Sequence, residues 1–136
     1  PRSTPLYSSA ASDVYKRQYQ YSLGTVYLKI NRYRQAVAYL QAVVNRRPLY
    51  EGAYYNLGQA LIRSGNSNVG IQYISKADSI QTLYSSLENL KLAADRNPDN
   101  QIKWLDLAIA YESVGMKTEA DQARLAAQFT GALKNK

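Results

Sequence analysis

The feature that most constrains this chain is a segment that repeats itself at a fixed interval. "YSLGTVYLKINRYRQAVAYLQAVVNRRP" (Tyr21 to Pro48) aligns with "YNLGQALIRSGNSNVGIQYISKADSIQT" (Tyr55 to Thr82) at an offset of 34 residues. Leu23-Gly24 falls on Leu57-Gly58, Tyr27 on Leu61, Leu40 on Ile74 and Val43 on Ala77. A third copy begins near Gln101, with Trp104, Leu107, Ala108, Tyr111, Gly115 and Ala120 in matching places. Self-similarity at such a period means stacked supersecondary units, each burying its apolar face on the next.

The residues inside the period specify the unit. Apolar positions recur every three or four residues, so each half is a helix. Asn31, Gly65 and Gly115 stand at equivalent places between the halves, where the turn needs a left-handed backbone. Pro48 and Pro98 close two of the second helices, because proline cannot extend a helical ladder. Gly24, Gly58 and Ala108 keep the paired helices close, and Ala36, Gly70 and Ala120 face them. Helices are expected near 19–30, 33–46, 51–64, 67–96, 101–114 and 117–132.

This pattern resembles the tetratricopeptide repeat family over nearly all of residues 19–132. The resemblance implies an all-α fold, an α-solenoid of helix-turn-helix repeats at about 19–50, 51–82 and 101–132, followed by a short tail at 133–136. The sequence departs from the family between the second and third copies, which lie 50 residues apart rather than 34. The extra segment, 83–98, reads as more helix, since no Gly or Pro interrupts Ile71 to Asn97. One extended helix is therefore expected, carrying Tyr73, Ala77, Ile80, Tyr84, Leu87, Leu90 and Ala94 as a continuous stripe. Sixteen added residues turn such a stripe by about 160°, so the regular superhelix should be interrupted there. Trp104, Leu107 and Tyr111 are expected to pack on Leu83, Leu87 and Leu90.

Residues 1–18 share none of this rhythm. Ser8 to Gln18, "SSAASDVYKRQ", back-translates without a mismatch into the read-one adapter of transposase-based sequencing libraries. "PRST" fits the flow-cell arm of the same adapter, and "PLY" fills the barcode space. The segment thus resembles a translated adapter and is expected to be a non-native leader, disordered or incidental to the fold. Native sequence then starts at Tyr19, as a metagenomic fragment of a larger bacterial protein. Without residues 1–18 the net charge falls from +7 to +5.

Composition removes most catalytic chemistries. The chain has no cysteine and no histidine, so disulfides, thiolates, the usual zinc sites and the commonest general base are missing. Asp95, Asp99 and Asp106 are close in sequence, but they flank a helix end and the next helix start, where acids complement the helix dipole. No catalytic residue, metal or cofactor is expected, and the chain is not read as an enzyme. No apolar run approaches the roughly 20 residues of a membrane span. The compartment is left open.

The charge is uneven. Residues 19–50 carry Lys29, Arg32, Arg34, Arg46 and Arg47 with no acid, while residues 51–136 carry nine charges of each sign. A basic first repeat suits an acidic partner or phosphates, but no nucleic-acid motif accompanies it and a protein or peptide partner is favoured.

The family resemblance turns one face of the first helices toward a concave groove. On that face lie Tyr21, Thr25, Leu28 and Lys29 of the first repeat and Tyr55, Asn56, Gln59, Ile62 and Arg63 of the second. Amphipathic aromatics, an amide and cations suit an extended peptide or a partner helix. Some relatives clamp the acidic tail of heat-shock chaperones with Lys and Asn. Here Tyr21 and Thr25 stand where the first clamp Lys and Asn would fall, and Ile102 and Asp106 where later cations would, so that ligand is not expected. The alternative function is a structural spacer, or a regulatory scaffold attached to an enzymatic or membrane domain.

Overall fold

The computed structural model describes residues 6–134, with side chains from 15 to 133. Six α-helices account for it: α1 (Leu6–Lys29), α2 (Tyr33–Arg46), α3 (Glu51–Arg63), α4 (Ser67–Arg96), α5 (Gln101–Ser113) and α6 (Lys117–Lys134). No strand occurs among the described residues, and the fold is all-α, made of helix-turn-helix repeats. The chain divides into two compact units, residues 1–81 and 82–136, with α4 contributing to both.

Each repeat turns on the same backbone device. Asn31, Gly65 and Gly115 have φ of 63°, 100° and 78°. In the first turn the Asn31 N–H donates to the Leu28 carbonyl and the Arg32 N–H to the Tyr27 carbonyl, at 3.1 and 2.8 Å. Gly65 and Asn66 repeat the pair on Ile62 and Leu61, and Gly115 and Met116 on Glu112 and Tyr111. These bonds satisfy carbonyls that a helix end leaves without partners, and only a left-handed residue brings both donors round.

In the first unit α1 packs on α2, and α3 on α2 and more lightly on α1. Their shared core is Leu28, Ala36, Leu40, Val43, Val44, Ala53, Leu57, Ala60 and Leu61, flanked by half-buried tyrosines that include Tyr21, Tyr27, Tyr54 and Tyr73. Tyr27 stacks on Tyr39 at 5.6 Å and Tyr54 meets Tyr73 at 6.1 Å. Burial pushes the Tyr54 hydroxyl above its usual range, and Tyr73 adds to the effect. The glycines set the spacing: a β-carbon on Gly58 would lie 2.7 Å from the Gly70 carbonyl oxygen, and one on Gly24 2.6 Å from Leu40 Cγ.

In the second unit Ala94, Leu107, Ala108 and Ala123 form the core, with Leu90, Trp104 and Tyr111 packed against it. Leu90 thus meets the third repeat as expected, and Leu87 is buried while Leu83 is half-buried. Asn100 caps α5 through its side chain, accepting from the Ile102 and Lys103 backbone N–H groups. Trp104 donates its indole N–H to the Pro98 carbonyl at 3.0 Å, and the Thr130 hydroxyl reaches the same oxygen at 3.2 Å.

Two boundaries differ from expectation. α1 begins at Leu6 rather than near Tyr19. Residues 6–18 contain no Gly or Pro, so nothing stops the helix of the first repeat from continuing upstream, whatever the origin of those residues. α6 runs to Lys134, into the expected tail. Residues 1–5 of the leader and 135–136 of the tail lie outside the described residues.

Candidate functional site

The nine residues of the expected partner-binding face all fall in the first unit, but the structure uses them in different ways. Tyr21, Thr25 and Asn56 are brought together between α1 and α3. The Asn56 amide donates to the Tyr21 hydroxyl and to Thr25 Oγ1, each at 3.2 Å. Thr25 Oγ1 in turn donates to the Tyr21 carbonyl at 2.9 Å, one helical turn back. The Tyr21 ring stacks on Tyr50 with centroids 4.7 Å apart, and the Arg47 guanidinium lies 4.3 Å from the centre of the Tyr50 ring. Gly52 leaves the space for the Tyr21 hydroxyl, which a β-carbon there would meet at 2.8 Å.

This network has unspent capacity. Both amide protons of Asn56 are engaged, while its carbonyl oxygen has no protein donor among the described residues. The Tyr21 hydroxyl accepts from Asn56 and keeps its own proton. Asn56 and Tyr21 are both half-exposed. One acceptor and one donor therefore stand side by side on the surface, held by α1 and α3 and buttressed by Arg47 and Tyr50 of the connection between α2 and α3.

Around them, Tyr55 is 45% exposed and Gln59 is half-buried. Lys29 and Arg63 occupy the last turns of α1 and α3. Both are exposed and neither has an ion pair among the described residues. Cations at helix C-termini are favoured by the helix dipole without a side-chain partner, which leaves them available to an anionic one.

Two assignments need correction. Leu28 is 8% exposed and belongs to the core, where its side chain meets α2 and α3 residues rather than solvent. The helical repeat places it one turn beyond Thr25, but the stripe curves into the packed seam. Ile62 is half-buried against α4, close enough that a β-carbon on Gly70 would lie 2.7 Å from its Cγ1.

Sequence reasoning also missed residues. Arg47, Tyr50 and Gly52 support Tyr21, and no repeat position singles them out because they lie at the junction of two repeats. On α5, Ile102, Leu105 and Ile109 are 69%, 41% and 67% exposed. They stand 50 residues after Gly52, Tyr55 and Gln59, so the repeat offset itself could have found them.

Residues 21–81 match the family model described as Tetratricopeptide repeat. Residues 21–81 carry tetratricopeptide repeats. Proteins of this family are protein-interaction scaffolds, generally without catalytic activity. None of the curated proteins matches the chain. A solved structure described as the crystal structure of MamA is 23% identical, with a TM-score of 0.46, over 88% of this chain and 60% of that one. Among the described residues, no group of three or more acidic side chains could hold a metal ion. No helix there is long and apolar enough to cross a membrane.

Proposed function

We propose that the chain is a protein-interaction module that holds a peptide or partner helix on the α1 and α3 face of its first unit. The carrying observation is the Asn56 network, which fixes a free carbonyl oxygen beside a free hydroxyl proton on a half-exposed surface. A peptide backbone offers an N–H donor and a C=O acceptor to complement such a pair. Tyr55 supplies an amphipathic anchor, and Lys29 and Arg63 favour a ligand with acidic side chains or a carboxylate terminus. Protein rather than nucleic acid is the partner class, because the cations accompany an amide and tyrosines rather than a phosphate-tracking stripe. Residues 19–132 form the binding domain, within a piece of a larger bacterial protein. The leader 1–18 is the non-native part, on the strength of the codon-level match at Ser8 to Gln18.

The test is selection of peptides from a random displayed library against the intact chain, followed by titration of the best binder. Tyr55→Ala is expected to weaken binding by about tenfold or more, as truncation of an interface aromatic does, with the circular dichroism spectrum unchanged. Asn56 is a poorer probe, since its removal also loosens α1 from α3. A peptide held as tightly by Tyr55→Ala, and by the Lys29→Ala, Arg63→Ala pair, would shift the reading to a structural spacer, which the inward placement of Leu28 and Ile62 favours.

A further inference from the structure

The segment 33–80 recurs at 83–130, where Pro48 falls on Pro98, Gly65 on Gly115 and Ala77 on Ala127. In the first copy one side chain closes the groove over the α3 core. Tyr73 of α4 meets the Tyr54 ring at 6.1 Å and packs on the cluster that holds Leu57 and Leu61. Its hydroxyl donates to Gln41 Oε1 of α2 at 3.2 Å, and the Gln41 amide donates to Asn45 at 3.1 Å. The groove left beside it is lined by Tyr54, Val69, Gln72, Tyr73 and Lys76, and does not reach Gln41, Asn45 or the two leucines.

In the second copy the counterpart of Tyr73 is Ala123. A cavity of about 160 Å³ opens against it. Leu107 and Tyr111 line it in place of Leu57 and Leu61, Lys91 and Asp95 in place of Gln41 and Asn45, and Glu119 in place of Val69. Trp104 and Tyr111 are larger than the Tyr54 and Leu61 they replace, but the indole N–H is held by the Pro98 carbonyl and the space remains. Protein interiors leave few gaps larger than a water molecule, so a ring present in one copy of a repeat and missing from the next leaves a hollow whose natural occupant is known.

The polar rim fits the same occupant. Lys91 can only donate, and the Asp95 and Glu119 carboxylates can only accept. None of the three makes a side-chain hydrogen bond or an ion pair among the described residues. A phenol hydroxyl accepts from an ammonium and donates to a carboxylate at once, whereas a hydrocarbon ring could use neither. We propose that the second unit carries a pocket for a tyrosine side chain of a partner protein, its ring against Trp104, Leu107 and Tyr111 and its hydroxyl between Lys91 and Asp95. So small a cavity gives a free phenol few atoms to hold, and the backbone that carries the ring supplies the rest. The pocket lies wholly within residues 82–136 and uses none of Tyr21, Tyr55 or Asn56, so either site can fail without the other.

NMR titration of the isotope-labelled intact chain, with p-cresol and with a capped Gly-Gly-Tyr-Gly-Gly peptide, reads the site residue by residue. Both are expected to shift the amides of Leu107, Tyr111 and Ala123, the peptide at lower concentration. The phenylalanine version of the peptide should bind about threefold or more weakly, as loss of one hydrogen bond implies. Lys91→Ala with Asp95→Ala should erase that preference at unchanged helicity, since both side chains are exposed. Ala123→Tyr should fill the hollow from within and abolish binding, and the Lys91, Asp95 variant remains decisive even where that substitution unfolds the unit. Equal binding of the phenylalanine peptide, shifts confined to other residues, or undiminished binding to Ala123→Tyr overturns the proposal. Butylamine acting on the same amides as readily as p-cresol also overturns it, because charge alone would then hold the ligand. Binding of p-cresol without the peptide would overturn the tyrosine and assign the pocket to a free phenol.

Discussion

An alanine at Gly58 would set its β-carbon against the Gly70 carbonyl oxygen and Ile74 Cγ1, while one at Gly24 would meet Leu40 Cγ and Cδ2. The distances are alike, but the neighbours are not. A leucine side chain can rotate away, whereas a carbonyl moves only with its helix. Alanine also adds about 1 kcal/mol of helix propensity over glycine, which offsets part of the cost at either site. Gly58→Ala is therefore expected to destabilise the first unit by about 2–3 kcal/mol, the range of overpacked cores, and Gly24→Ala by clearly less. Urea unfolding of the two variants gives the order, and equal costs would mean that α3 and α4 can part freely. These glycines were legible in the sequence because a small residue recurs at one repeat position. The role of Asn56 was not: an amide on a helix surface looks the same whether it faces a ligand or ties two helices, and only the placement of Tyr21 and Thr25 separates the two.

The extended helix α4 was read from an uninterrupted apolar stripe, and that reading holds because Ser67 to Arg96 contains no residue that would break the ladder after Gly70. The start of α1 was misplaced for the same physical reason acting in reverse, since a change in residue origin is no helix stop signal. Leu87 lies on the later part of α4 and is 5% exposed. Leu87→Asp would bury a carboxylate without a cation, at a cost of about 2–5 kcal/mol. Faster hydrogen exchange concentrated in residues 82–134 is the expected result, and unaltered protection there would mean that the segment is not held by that side chain.

Between α5 and α6 the Arg124 guanidinium hydrogen-bonds Glu112 and holds its carboxyl below the usual carboxylate range, with Lys117 adding a little. A depressed folded-state pKa contributes stability above the unfolded carboxylate's pKa, and that contribution disappears as pH falls through the folded value. Both side chains are well exposed, so the effect is small and screened by salt. Glu112→Gln should remove a shallow, salt-sensitive loss of stability on acidification while leaving the neutral-pH fold unchanged. Thermal melts at matched pH and two salt concentrations measure it; an acid slope identical in the variant would assign it to other carboxylates.

For the whole molecule, the core of the first unit begins at Tyr21. The leader's described tie to it is the Arg17 carbonyl, which accepts from Arg46 at 3.0 Å. Deleting residues 1–18 removes helical residues but little packing, so total helicity should fall while the melting temperature stays within error. A melting temperature lower by several degrees would make the leader part of the folded body. The number and order of helices, the turn residues and the basic bias of the first repeat were readable from the 34-residue offset, the third copy displaced to 50 residues, the unbroken stripe between them and the composition. What the sequence left undetermined was which members of an exposed-looking stripe turn inward, as Leu28 does, because that depends on the path of the neighbouring helix and not on period alone.

Trp104 is the only tryptophan in the chain. It is half-buried in the core of residues 82–136, with its indole N–H held by Pro98. Among the tyrosines only Tyr84 and Tyr111 share that unit. Excitation at the red edge of the aromatic band therefore addresses one unit, and tyrosine emission mostly the other. The chain carries its own spectroscopic label, placed so that opening of the core around Ala94, Leu107 and Ala108 would redden the indole emission of that unit while most of the tyrosines report on the other.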